Sequence, residues 1–69
     1  FIECVIDTSE GTKVADVAWG SLEFLAAHKH EASYSKAPEI CVEVISPPNS
    51  EAEMAEKRRL YFEQGAQEV

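Results

Sequence analysis

The alternation of apolar and polar positions divides the chain into five short elements. FIECVI (1–6) is apolar and rich in strand formers, DTSEG (7–11) carries turn residues, and KVADVAW (13–19) reads as a second strand. The first two runs therefore predict a hairpin. Gly20-Ser21 breaks the pattern, and LEFLAAHKH (22–30) predicts a short helix with Ser21 as its N-cap. EASYSKAP (31–38) reads as a polar loop and EICVEVI (39–45) as a third strand. SPPNS (46–50) ends that strand, because proline cannot donate to a ladder. Ser50-Glu51-Ala52-Glu53 then fits a capping box, EAEMAEKRRLYFEQ (51–64) propagates as helix, and Gly65 suits its end. This β-β-α-β-α order predicts an α/β or α+β layer.

Strand parity exposes two anomalies. Side chains alternate faces along a strand. Ile40, Val42 and Val44 therefore share one face, and Cys41, Glu43 and Ile45 the other. In the second strand Val14, Asp16 and Ala18 oppose Ala15, Val17 and Trp19. Both strands are apolar on both sides, as expected of strands covered on two faces. Each nevertheless carries one carboxylate at its middle. An ionised carboxylate in an apolar layer is costly unless something pairs with it. Glu43 either faces water on a half-buried strand or is sheltered for chemistry.

The closing helix holds a third anomaly. At about 100° per residue, Met54, Leu60 and Tyr61 mark an apolar arc, and Lys57 falls inside it. Arg59, Glu56 and Glu63 lie on the opposite side, Arg58 is expected in solvent within reach of a phosphate, and Tyr61 and Trp19 are expected in the core.

Composition narrows the classes. An apolar fraction of 45% argues for a folded chain. Six basic against thirteen acidic residues give a net charge of −7, a poor footprint for non-specific nucleic-acid binding. No apolar run approaches the roughly 20 residues that span a bilayer. Cys4 and Cys41 sit in apolar runs and read as reduced core thiols of a cytoplasmic protein. With 69 residues, the chain is expected to be one partial domain, 1–69, whose open sheet edges and apolar faces would favour self-association. His28 and His30 are two apart and do not converge on a helix. Ser46 reads as a turn residue, and neither a Gly-rich phosphate loop nor a zinc-type Cys/His spacing occurs.

Two carboxylates and a lysine are the parts that metal-dependent phosphodiester hydrolysis needs. Hard Mg²⁺ prefers oxygen ligands, often one or two carboxylates with waters and phosphate oxygens. The metal polarises the phosphoryl group and activates water, and a lysine stabilises developing charge.

VADVAW, followed by APEICVEVISPPNSEAEMAEKRRLYFEQGAQEV, resembles the Uma-type endonuclease family of the restriction-endonuclease-like PD-(D/E)XK superfamily. The resemblance rests on Asp16, on Glu43 followed by Ser46-Pro47, and on the Lys57, Tyr61 and Gly65 spacing. It implies an α/β (α+β) restriction-endonuclease-like core, a mixed β-sheet flanked by helices, present in part. It further implies Mg²⁺ or Mn²⁺ held by Asp16 and Glu43, catalytic roles for Asp16, Glu43 and Lys57, and a nucleic-acid substrate, DNA rather than RNA. In the superfamily pattern a lysine follows the acidic residue by two positions; Ile45 stands there, and Lys57 is the relocated lysine. A non-catalytic interaction or scaffold module with the same fold, or an inactive fragment, is the rival expectation. Convergence of the three side chains distinguishes the two.

Overall fold

The structure, a computed structural model, describes residues 2–45 and 50–69. Two strands, β1 (Ile2–Thr8) and β2 (Gly11–Trp19), pair antiparallel from Ile2↔Val17 to Thr8↔Gly11. Ser9-Glu10 forms the turn, and the Thr8 hydroxyl ties it by donating to Gly11 O (2.5 Å) and accepting from Glu10 N (3.2 Å). The strands run further into the expected turn than the composition indicated, because Gly11 at φ +96° accommodates the reversal immediately after Glu10.

Helix α1 (Leu22–His28) starts at Ser21, whose hydroxyl oxygen accepts from Phe24 N (3.1 Å). The Glu39 carboxylate in turn accepts from Ser21 N (2.9 Å) and Ser21 Oγ (2.5 Å), which ties the start of α1 to the residue preceding the third strand. The polar loop is more ordered than its composition implies. Tyr34 makes a parallel bridge with Ile6, through Asp7 N→Tyr34 O (2.8 Å) and Tyr34 N→Val5 O (2.9 Å), and so covers the outer edge of β1.

Strand β3 (Ile40–Val42) pairs antiparallel with β2, giving a sheet of order β1-β2-β3. The expected strand over 39–45 is thus cut to three residues. Its ladder stops because Val44 N donates to the Asp16 carboxylate (2.7 Å) instead of to a backbone carbonyl of β2.

Helix α2 (Glu51–Glu63) is N-capped by Ser50, which accepts from Glu53 N (3.1 Å). At the other end Gly65 has φ +108°, Ala66 N donates to Tyr61 O (3.0 Å) and Gly65 N to Phe62 O (3.1 Å). This is a Schellman closure, and it needs the left-handed residue that glycine supplies without Cβ strain. The chain then turns back to β3. Gln67 N and Glu68 N both donate to Glu39 O (2.7 and 3.0 Å), and Cys41 N donates to Glu68 O (2.9 Å). The Ile40↔Glu68 bridge is parallel, so β3, α2 and the tail form a crossover unit beside an antiparallel hairpin. The architecture is α+β: the three-stranded sheet is antiparallel, and parallel pairing occurs only in the isolated Ile6↔Tyr34 and Ile40↔Glu68 bridges. Ser46 and the prolines expected to end β3 lie outside the described residues, as does Phe1.

The core is small and built mainly of small side chains: Cys4, Ile6, Ala15, Ala18, Ala37, Cys41, Tyr61 and Ala66. Both cysteines are buried and free, and burial pushes the Cys41 thiol up to about 12. Ala15 and Ala18 are both buried although they lie three apart, so simple alternation fails in β2. The irregularity sits opposite Asp16, between the Ile2↔Val17 and Cys4↔Ala15 pairs, where Glu3 has φ +53°. The expectation of two covered faces is corrected: Val14, Val17, Val42, Val44 and Ile45 are exposed. Trp19, expected in the core, is 57% exposed, because it follows Ala18 on the face that no described element covers. Among the described residues no helix is long and apolar enough to cross a membrane.

The Glu39–Ser21 contact predicts a pH dependence. The two hydrogen bonds from Ser21 hold the Glu39 carboxyl below its ordinary value of 4.5. Its folded value is therefore lower than its unfolded one, so the contribution is complete above about 4.5 and disappears as pH falls below it. In urea unfolding, wild type should be more stable than Glu39→Gln at pH 7, and the two should converge in acid.

Candidate functional site

The site forms where α2 crosses the end of β3. Glu43 immediately follows β3, and its side chain is 11% exposed. It follows Cys41 by two residues and so continues the buried side of the strand. Two donors from α2 meet it. Lys57 Nζ lies 3.0 Å from Glu43 Oε1, and Tyr61 Oη donates to the same oxygen at 2.9 Å. Lys57 and Tyr61 are four apart, one turn of helix on one face, which is why a single helix delivers both. Lys57, with its side chain 28% exposed, also donates to the Val14 carbonyl of β2 (3.1 Å). The lysine thus bridges β2, the Glu43 carboxylate and α2.

This answers the cost of a carboxylate in an apolar strand. Glu43 is held by one cation and one phenol, and a sheltered charge is tolerated when it is paired and hydrogen-bonded. The effect on Tyr61 is reciprocal. Its ring is fully buried, and burial first, then the hydrogen bond to Glu43, pushes the phenol well above its ordinary value. The phenol is thereby favoured as the protonated donor to Glu43.

Asp16 is placed differently. Its Oδ2 accepts from Val44 N, so it is tied to the segment carrying Glu43 through the backbone. The structure therefore brings Glu43 and Lys57 into direct contact and links Asp16 to the neighbouring residue. Both carboxylates lie at the same end of the β2–β3 ladder. Among the described residues no group of three or more His, Cys, Asp or Glu side chains is arranged to hold a metal ion. The two acidic residues are hard oxygen donors of the kind Mg²⁺ takes in small number, with water completing its shell, so the donor set fits such an ion chemically.

The sequence placed Tyr61 in the core and in the family spacing but assigned it no role at the site. The missing signal was available: a buried tyrosine needs a partner for its hydroxyl, and Tyr61 lies one turn from Lys57. The contact from Lys57 to the Val14 carbonyl had no such signal, because a backbone acceptor carries no residue identity.

Other singled-out residues lie elsewhere. His28 Nδ1 pairs with Glu31 Oε2 (2.5 Å), and its ring lies 4.6 Å from that of Phe24. Arg59 is exposed, as expected, but is not merely solvated. It pairs with Glu10 (2.6 Å), Glu56 (2.5 Å) and Glu63, clamping α2 to the β1–β2 turn.

A family model described as "Uma2: Putative restriction endonuclease" matches residues 2–69. No curated protein and no solved structure matches the chain.

Tyr61→Phe removes one donor to Glu43 while keeping the ring in the core. It should cost about 1 kcal/mol in chemical unfolding. Pairing it with Glu43→Gln should give a loss smaller than the sum of the single variants, because the two residues share one interaction.

Proposed function

The chain belongs to the Uma2 family, and from that membership we propose that its domain carries out metal-dependent hydrolysis of phosphodiester bonds in DNA, in the manner of the PD-(D/E)XK nucleases. The observation that carries this reading is the contact of Lys57 with Glu43 at the end of β3, with Asp16 bound to the adjacent residue. Family membership supports a nucleic-acid substrate at the level of the family's description, and the side chains are of the types that the reaction uses.

Asp16 and Glu43 would hold a divalent cation, Mg²⁺ or Mn²⁺. Bound there, such an ion would supply Lewis-acid activation of the phosphate and of the attacking water. Lys57 places a compact positive charge beside Glu43, where it can orient water and offset charge developing on the phosphate oxygens. Its bond to Val14 O restricts the long side chain, which lowers the entropy lost on reaching a productive geometry. Tyr61 fixes Glu43 by donating its hydroxyl to one carboxylate oxygen. In the overall reaction water adds at phosphorus, one P–O ester bond breaks, and the departing alkoxide takes a proton. The products are a phosphomonoester and an alcohol. Two buried free thiols support a reducing compartment such as the cytoplasm as the place of work.

A second reading has its own observation. Glu43 is already neutralised by Lys57 and hydrogen-bonded by Tyr61 without any cation, which is also how a non-catalytic scaffold would keep the residue.

Calorimetric titration separates the readings. Wild type should bind Mg²⁺ or Mn²⁺, and Glu43→Gln should weaken that binding by more than about tenfold and abolish plasmid cleavage in parallel. A folded wild type that takes up neither ion would leave the scaffold reading standing.

A further inference from the structure

Two neighbouring arginines on α2 have opposite circumstances. Arg59 is surrounded by Glu10, Glu56 and Glu63, and its guanidinium is pushed further above its ordinary value, chiefly by its hydrogen bonds to Glu56. Among the described residues the Arg58 side chain makes no ion pair and no hydrogen bond, although the chain carries thirteen acidic residues. An unpaired guanidinium in so acidic a chain is poorly explained as a stabilising surface charge.

Its position is more informative. Arg58 lines a cleft of about 180 Å³ together with Val42, Glu43, Ile45, Met54 and Val69. Lys57 approaches Glu43 from the β2 side, where it also reaches Val14 O and lines a separate cleft with Lys13 and Leu60. Successive helical residues diverge by about 100°, so α2 presents one cation toward β2 and the next toward β3 and the tail. Glu43 lies between the two.

Resting on the nuclease reading above, we propose that Arg58 is the residue that binds a backbone phosphate of the nucleic acid and sets the strand against Glu43. A guanidinium offers a planar fork that matches two phosphate oxygens, and it remains charged at any working pH. The role requires a cation without a protein carboxylate partner, facing the cleft at the site. Arg58 has both properties, whereas Arg59 and Lys57 are each already paired. Arg58 also answers the electrostatic objection raised by the net charge of −7: binding needs positive charge only where the strand lies.

The test is fluorescence anisotropy of a labelled DNA oligonucleotide in Ca²⁺ or EDTA, across a salt series, with wild type, Arg58→Gln and Arg59→Gln. Arg58→Gln should weaken binding about tenfold and reduce the slope of log K against log salt by about one, with little change in far-UV circular dichroism. Arg59→Gln should leave the slope unchanged. Wild-type affinity and slope in Arg58→Gln would overturn the assignment, and so would an equal loss from Arg59→Gln, which would indicate a diffuse charge effect. If wild type cleaves DNA while Arg58→Gln binds and cleaves normally, only the Arg58 assignment falls. If wild type neither binds DNA nor cleaves it with any divalent ion, the nuclease reading falls with it.

Discussion

The arrangement of this domain depends on satisfying one carboxylate. Glu43 continues the buried side of β3 and cannot stay there ionised without partners. Both of its partners come from one turn of α2, so the helix can take only one rotational setting over the sheet. Lys57 tightens that setting by reaching past Glu43 to the Val14 carbonyl of β2. One ion pair and two hydrogen bonds thus determine how the crossover unit sits on the hairpin. Losing Lys57 or Tyr61 removes more than a surface contact, because it leaves a sheltered charge short of a partner.

The rest of the structure serves the same geometry. The sheet face beneath α2 is lined by Cys4, Ala15, Ala18 and Cys41, whose small side chains leave room for the fully buried Tyr61 ring. Larger residues there would push the helix away and carry the Tyr61 hydroxyl out of reach of Glu43. The helix ends are equally constrained, by Ser50 at the start and the Gly65 closure at the finish. Arg59 pins the outward side to the β1–β2 turn, and the tail returns to hydrogen-bond Glu39 and Cys41. These contacts are individually modest, yet all of them select one placement of α2.

That placement has a chemical consequence. Lys57, which stabilises Glu43 in the fold, is also a group that would act on a phosphodiester beside it, together with Glu43 itself and Asp16 on the adjoining strand. Structural need and nuclease chemistry therefore draw on the same residues. An enzyme and its inactive descendant would look alike at this point, so ion binding rather than shape is the property that divides them.

Local chemistry was enough to place most elements. Ser21, Ser50 and Gly65 each act through neighbours within a few positions, and the helical arc carrying Lys57 and Tyr61 follows from a fixed angle per residue. The Lys57, Tyr61 and Gly65 spacing was likewise legible in the chain, and the Uma-type resemblance that it carried agrees with the matched family. What the chain could not reveal depends on distant partners. The early end of β3 arises because Asp16, 28 positions away, takes the Val44 amide. The exposure of Trp19 and Val17 arises because the described elements cover only one face of the sheet, and strand parity cannot say which faces find a cover. The third oxygen acceptor of the site cluster, the Val14 carbonyl, is backbone and has no letter in the sequence. Residue identity determined which groups were present and in what local conformation; only the packing of α2 across two strands decided which of them met.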